Sequence, residues 1–200
     1  MNDTFAFANF TTTPLELISF ALAVTTVLLN IRQNHWAWLF SIASSSTYAV
    51  VFFDARLYGD SGLQLVFIAA SVWGWSQWLR GAGKAVDERL VVTRLDRTGW
   101  AVSIAAWGAG FLLLSWYLKT YTNTDVPHAD GFLTAGSLVG QFLLARKKVE
   151  NWHVWIIVDV LYVGLYVFKD LHVTALLYAV FVVLAARGLR AWSNIAQVAR

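Results

Sequence analysis

Cysteine is absent from this 200-residue chain, so neither a disulfide framework nor a thiolate nucleophile or metal ligand is available to it. Proline occurs only twice, and charged residues make up 14% of the chain, little more than half of the roughly 25% usual in soluble domains. No glycine-rich phosphate loop is present, which excludes a self-contained ATP motor. No group of His, Glu and Asp has the spacing of a metal site: His35 and His153 sit beside tryptophans, His128 is expected in a loop and His172 at a helix start. Nothing calls for a cofactor. What abounds instead is apolar surface: 58% hydrophobic residues, 11 Trp, 13 Phe, 7 Tyr and a mean hydropathy of +0.56. So few polar groups cannot cover that surface in water, and the chain needs lipid. The net charge is +3, but the basic residues flank apolar runs instead of forming a patch interleaved with aromatics. They read as topology signals, not as nucleic-acid contacts.

Long apolar stretches predict an all-α membrane protein with seven spans, at about 15–31, 35–53, 61–80, 99–118, 130–146, 151–169 and 171–189. The start lacks the basic region of a signal peptide and no small-residue cleavage site follows the first run, so nothing is expected to be removed. Alternate loops then carry twelve basic residues on one side (Arg32, Arg80, Lys84, Arg89, Arg94, Arg97, Arg146, Lys147, Lys148, Arg187, Arg190, Arg200) and three on the other (Arg56, Lys119, Lys169). Cytoplasmic loops hold the excess, which places the N-terminus outside and the C-terminus in the cytoplasm.

The second and sixth spans both open on N-x-x-x-W, Asn34 to Trp38 and Asn151 to Trp155, and Asp54 and Asp170 close them. The expectation is one transmembrane domain of two three-helix repeats, about 15–80 and 130–192, joined by a linking helix at about 99–118. The odd number of spans makes the copies parallel, as in certain small sugar carriers, with an axis along the membrane normal.

Chemistry-bearing side chains gather on three spans. At 100° per residue, Asn151, Trp155, Asp159, Tyr162 and Tyr166 fall within about 80° of one another. A carboxylate nine residues into a span is costly unless it faces a bundle interior or a watery cavity, which makes Asp159 a functional candidate. The alternative is a hydrogen-bonded Asp that glues two helices. It is the one clear buried acid in this reading, so a carboxylate relay for ion coupling is poorly supported and passive movement is favoured. Asn34, Trp38, Ser41, Ser45 and Tyr48 make a similar arc without an acid, and Gln64, Ser71, Trp75 and Trp78 recur at helical spacing on the third span. Gln141 offers an amide either to a ligand or to another helix. Trp36, Trp100, Trp152 and Trp192 are expected in an interfacial aromatic belt. Trp38, Trp75 and Trp155 share faces with polar residues and suit stacking on a flat ligand.

Two runs carry a family resemblance: Gln141 through Arg146-Lys147-Lys148 and Glu150-Asn151-Trp152 to Trp155, and Leu57-Tyr58-Gly59-Asp60 with Gln64 to Trp73-Gly74-Trp75-Ser76-Gln77-Trp78. Across nearly its whole length the chain resembles the PnuC family of bacterial vitamin transporters. The resemblance implies a seven-helix inner-membrane protein in a three-plus-one-plus-three arrangement, commonly a homotrimer. It implies facilitated diffusion of nicotinamide riboside, trapped afterwards by a cytoplasmic kinase; relatives carry thiamine, riboflavin or deoxynucleosides. It assigns ligand contact first to Asn151 and Trp155, then to Gln141 and the Trp75 to Trp78 segment. Relatives have a second Trp where Ser76 stands here, and Asn as well as Asp at position 159. The expected function is therefore a nicotinamide riboside uniporter, with thiamine as the nearest rival and no enzymatic activity. The expected binding set is Asn151, Trp155, Gln141, Asp159, Trp75, Trp78, Gln64, Asn34, Trp38 and Tyr162.

Overall fold

The computed structural model describes residues 5–7, 10–12, 14–54, 58–80, 90–168 and 172–198. Of the residues named above, Arg56, Leu57, Lys84, Arg89, Lys169, Asp170 and Arg200 lie outside them. Among the described residues there are seven α-helices: α1 (Pro14–Ile31), α2 (Ala37–Asp54), α3 (Tyr58–Arg80), α4 (Arg97–Tyr121), α5 (Pro127–Ala145), α6 (Asn151–Phe168) and α7 (His172–Val198). Ahead of them two short strands, β1 (Phe5–Phe7) and β2 (Phe10–Thr12), pair antiparallel with Phe7 opposite Phe10. Hydropathy carries no signal for such a hairpin, and it was not expected. By length and composition Arg97–Tyr121, Asn151–Phe168 and Ala175–Val198 can each cross a membrane. α2, α3 and α5 are diluted by hydroxyls, amides and indoles, which are the side chains of interest below.

The chain forms two compact units, Met1–Arg80 and Gly81–Arg200. In the first, α2 packs against both α1 and α3; in the second, α5 packs against α4 and α6, and α6 against α7. α5 is the centre of the second unit because its glycines let neighbours approach closely. A Cβ on Gly131 would lie 2.6 Å from Ser115 Oγ of α4, and one on Gly140 would lie 3.1 Å from the Trp155 indole of α6. Gly136 likewise accepts Trp107 of α4 and Val158 of α6. Small residues at such positions are how helices associate where lipid supplies no hydrophobic drive. Trp107 adds a hydrogen bond from its Nε1 to the Phe132 carbonyl, 2.9 Å long. The outward residues of α4 are apolar and exposed, including Leu112, Leu113, Val102 and Ile104, as a lipid-facing helix requires.

Helix ends in the two units correspond at a constant spacing. α1 ends at Ile31 and α5 at Ala145, α2 spans 37–54 and α6 spans 151–168, and α3 and α7 begin at 58 and 172, each pair 114 residues apart. Gln33 and Lys147 stand 114 apart and both take left-handed backbones, with φ of 54° and 49°. Around them the same bonds recur: Asn34 N to Leu29 O and Lys148 N to Leu143 O are both 2.9 Å, and Gln33 N to Asn30 O and Lys147 N to Leu144 O are both 3.0 Å. That pair of bonds is the Schellman closure of a helix. The N-x-x-x-W motif suggested a different alignment, since Asn34 and Asn151 are 117 residues apart. In the backbone, Asn34 lies in the turn before α2 whereas Asn151 is the first residue of α6, so Trp38 corresponds to Trp152 and Ser41 to Trp155.

Candidate functional site

In the second unit, α6 turns one polar and aromatic face inward. Asn151 is fully buried and Asp159 is 5% exposed, while Trp155, Tyr162 and Tyr166 are half-buried. The other side of the helix carries the exposed Ile157, Val160, Leu161, Val167 and Phe168. Helical periodicity produces this sorting, because residues three and four apart share a face. Asn151 Nδ2 donates to the Lys148 carbonyl at 2.6 Å, and this holds the amide while its Oδ1 is left buried without a hydrogen-bond partner. An unsatisfied buried acceptor costs about 1–3 kcal/mol. Such an atom is suited to a donor brought by a ligand. Trp155 lies over Gly140, and the next residue of α5, Gln141, is buried.

Further along α6, Tyr162 comes within side-chain hydrogen-bonding reach of Ser137 on α5. Tyr162 stacks on Tyr166 with centroids 5.7 Å apart, and Tyr178 of α7 closes on both, at 4.6 and 5.2 Å. Tyr178, set in an apolar run, carries no polar stripe in the sequence that would mark it; its 114-residue counterpart is Gln64, a candidate from the sequence.

In the first unit, Trp38 is 1% exposed and lies flat against Gly74, where a Cβ would run into the indole ring. Trp78 meets it edge-on at 5.4 Å and 88°. Trp36 and Trp75 pair at 6.1 Å, and the Nε1 atoms of Trp38 and Trp75 are buried without partners. Ser41 and Ser71 hydrogen-bond across α2 and α3 at 3.0 Å. Gln64 is half-buried. Asn34 is exposed, and its Oδ1 accepts the Trp36 backbone N–H at 3.0 Å, so its side chain starts the turn into α2.

A profile described as nicotinamide mononucleotide transporter matches residues 13–194. The chain belongs to that family, the PnuC family. Among its relatives, the riboflavin/roseoflavin transporter RibM of Streptomyces davaonensis is 28% identical, over 88% of this chain and 83% of its own. The nicotinamide riboside transporter PnuC of Escherichia coli is 24% identical, covering 80% of this chain and 77% of its own. A crystal structure of the vitamin B3 transporter PnuC has the same fold, with a TM-score of 0.74 at 22% identity over 92% of this chain and 82% of that one. The protein is thus a membrane transporter of the PnuC family, with the all-helical fold that the hydropathy predicted.

Against this PnuC-family background, two expectations need correction. Trp152 and Trp192 are not belt residues: they are 2% and 0% exposed, they meet edge-on at 5.5 Å and 90°, and Gly188 leaves the space that Trp152 fills. Their sequence position at a span end gave the belt its appeal, but Gly188 on α7 opens the space into which Trp152 of α6 turns, and Trp192 packs edge-on against that ring. Trp36 and Trp100 do stay outside, at 49% and 41% exposure. Secondly, Asp159 is not the one buried acid, because Glu150 is 3% exposed. Glu150 Oε2 accepts the Leu95 backbone N–H at 2.9 Å, and Lys148 Nζ donates to Thr93 Oγ1 at 2.9 Å. Lys148 and Glu150 therefore tie the segment before α4 to the α5–α6 turn, leaving Asn151 Oδ1 as an open acceptor beside them.

Proposed function

We propose that the protein is a facilitated-diffusion transporter for a flat nitrogen-heteroaromatic vitamin, with nicotinamide riboside as its first substrate. The observation that carries this reading is the buried Asn151 with an open Oδ1, on the same α6 face as Trp155 and Asp159. A carboxamide supplies the N–H that Oδ1 lacks. The pyridinium ring gains about 0.5–2 kcal/mol over a well-placed indole, and Asp159 offsets its charge. Gln141 and Tyr162 complete this wall of the second unit, and within the first unit Gln64 and Trp75 are the residues assigned to ligand contact. Trp38 and Trp78 hold α2 to α3 by packing, and Asn34 shapes the turn before α2 by its hydrogen bond. The 114-residue correspondence supports a duplicated three-helix unit, with α4 as the linking helix. The rest of the proposal follows the charge pattern and the family: bacterial inner membrane, N-terminus outside, C-terminus in the cytoplasm, a homotrimer, and trapping by a cytoplasmic kinase.

Riboflavin is the second reading, favoured by the 28% identity to RibM over most of both chains. Its neutral ring also has an N–H for Asn151 but no charge for Asp159, whereas thiamine is a flat cation like nicotinamide riboside. Quenching of tryptophan fluorescence in purified protein, titrated with each of the three vitamins, separates them. Nicotinamide riboside quenching that is shifted to higher concentration in Asn151→Ala and Trp155→Ala is the expected result. Quenching by riboflavin alone keeps the transporter and replaces its substrate, and quenching by none refutes the proposal.

A further inference from the structure

The segment before α4 and the turn between α5 and α6 are joined by a short parallel bridge. Thr93 N donates to Lys147 O at 3.1 Å and Val149 N to Thr93 O at 3.0 Å, and the Lys148 side chain adds its bond to Thr93 Oγ1. The bridge sets the backbone just before Arg94 against Lys147 and Lys148, with Arg97 opening α4 and Arg146 following the end of α5. The carboxylates of the same two segments, Asp96 and Glu150, each bind a backbone N–H, of Gly99 at 2.7 Å and Leu95 at 2.9 Å. Glu150 is buried besides, so five basic residues share this surface with the one exposed carboxylate of Asp96. One turn into the helices from these cations, Trp100 of α4 and Phe142 of α5 are exposed, at 41% and 52%. Charge at the helix ends with large apolar groups just inside is the pattern of a phosphate headgroup above its acyl chains.

We propose that this junction binds an anionic phospholipid, with Arg94, Arg97, Arg146, Lys147 and Lys148 around the headgroup phosphate and Trp100 and Phe142 against the chains. The proposal rests on the membrane location of the protein and not on which vitamin it carries. A free phosphate ester would satisfy the cations but would leave the two rings uncovered, which is why a diacyl lipid is the occupant argued for.

Native mass spectrometry of the full-length protein, released from detergent after equilibration with phosphatidylglycerol or phosphatidylcholine, tests it. Phosphatidylglycerol is expected to stay bound and to raise the melting temperature, and phosphatidylcholine to do neither. A juxtamembrane charge contributes about fivefold in affinity, so Arg94→Gln/Arg97→Gln should weaken retention about twenty-five-fold. Arg94→Lys/Arg97→Lys should restore most of it, and Lys119→Gln, at the opposite end of α4, should change nothing. Equal retention of both lipids, full retention by the Gln pair, or displacement by glycerol 3-phosphate at matching concentration would overturn the proposal. If the Gln pair fails to fold, the wild-type comparison of the two lipids still decides.

Discussion

Replacing Gly188 by alanine tests whether Trp152 is locked into the second unit. The new Cβ would sit 2.6 Å from the indole Cε2 and Cζ2 and 2.7 Å from Cδ2, where carbon atoms prefer about 3.5–4.0 Å. The ring must therefore move by about 1 Å. It has little room to do so, being 2% exposed and edge-on to a Trp192 that is itself wholly buried. Overpacking of this kind costs about 1–3 kcal/mol. Alanine returns about 0.8–1 kcal/mol of helix propensity, so the net effect is a loss of about 0–2 kcal/mol. Gly164 lies on α6 with nothing within 4 Å of its Cβ position, so alanine there keeps the propensity gain without the clash. The difference between the two variants should be about 1–3 kcal/mol, read as thermal unfolding in detergent. Adding Trp152→Leu to Gly188→Ala should recover part of the loss, the signature of a coupled pair. Equal stability of Gly188→Ala and Gly164→Ala would refute the lock.

Glu150→Ala leaves the Leu95 N–H unpaired and should cost about 1–3 kcal/mol, with faster hydrogen exchange at Leu95, whereas Glu150→Gln keeps an acceptor oxygen and should cost much less. Trp155→Ala removes the ring proposed to stack on substrate, and should weaken vitamin binding by about 0.5–1.5 kcal/mol, up to about tenfold, in equilibrium titration. Asp159→Asn should weaken binding of nicotinamide riboside and thiamine but spare riboflavin, so a riboflavin affinity that falls as far as the others would remove the counter-charge role.

Six of the seven helices were legible from apolar runs to within about three residues at each end, because a span must be about 20 residues of mostly apolar side chains. The exception is α7, which continues to Val198 beyond the expected end near Leu189. Arg187 and Arg190 stop the hydropathy run, yet Trp192 and Ala196 are buried in the last turns, so tertiary packing carries the helix past its charges. The inward face of α6 was equally legible, since one carboxylate and four amide or aromatic side chains at helical spacing can hardly point at lipid. The register of the two units was not. Asn34 and Asn151 share a letter but not a role, and the true correspondence emerges from Gly74 and Gly188, each making room for a tryptophan on the adjacent helix. A hydropathy profile does not register that complementarity, and it was equally blind to Glu150, whose acceptor partner is a backbone amide 55 residues earlier in the chain.

The central claim is vitamin transport through the Asn151 face, and uptake of labelled nicotinamide riboside into proteoliposomes without any ion gradient tests it most directly. Saturable uptake in the wild-type protein, with half-saturation moved to higher substrate concentration in folded Asn151→Ala and Trp155→Ala, is the predicted result. Uptake no faster than in empty liposomes, or undiminished in both variants, would contradict it.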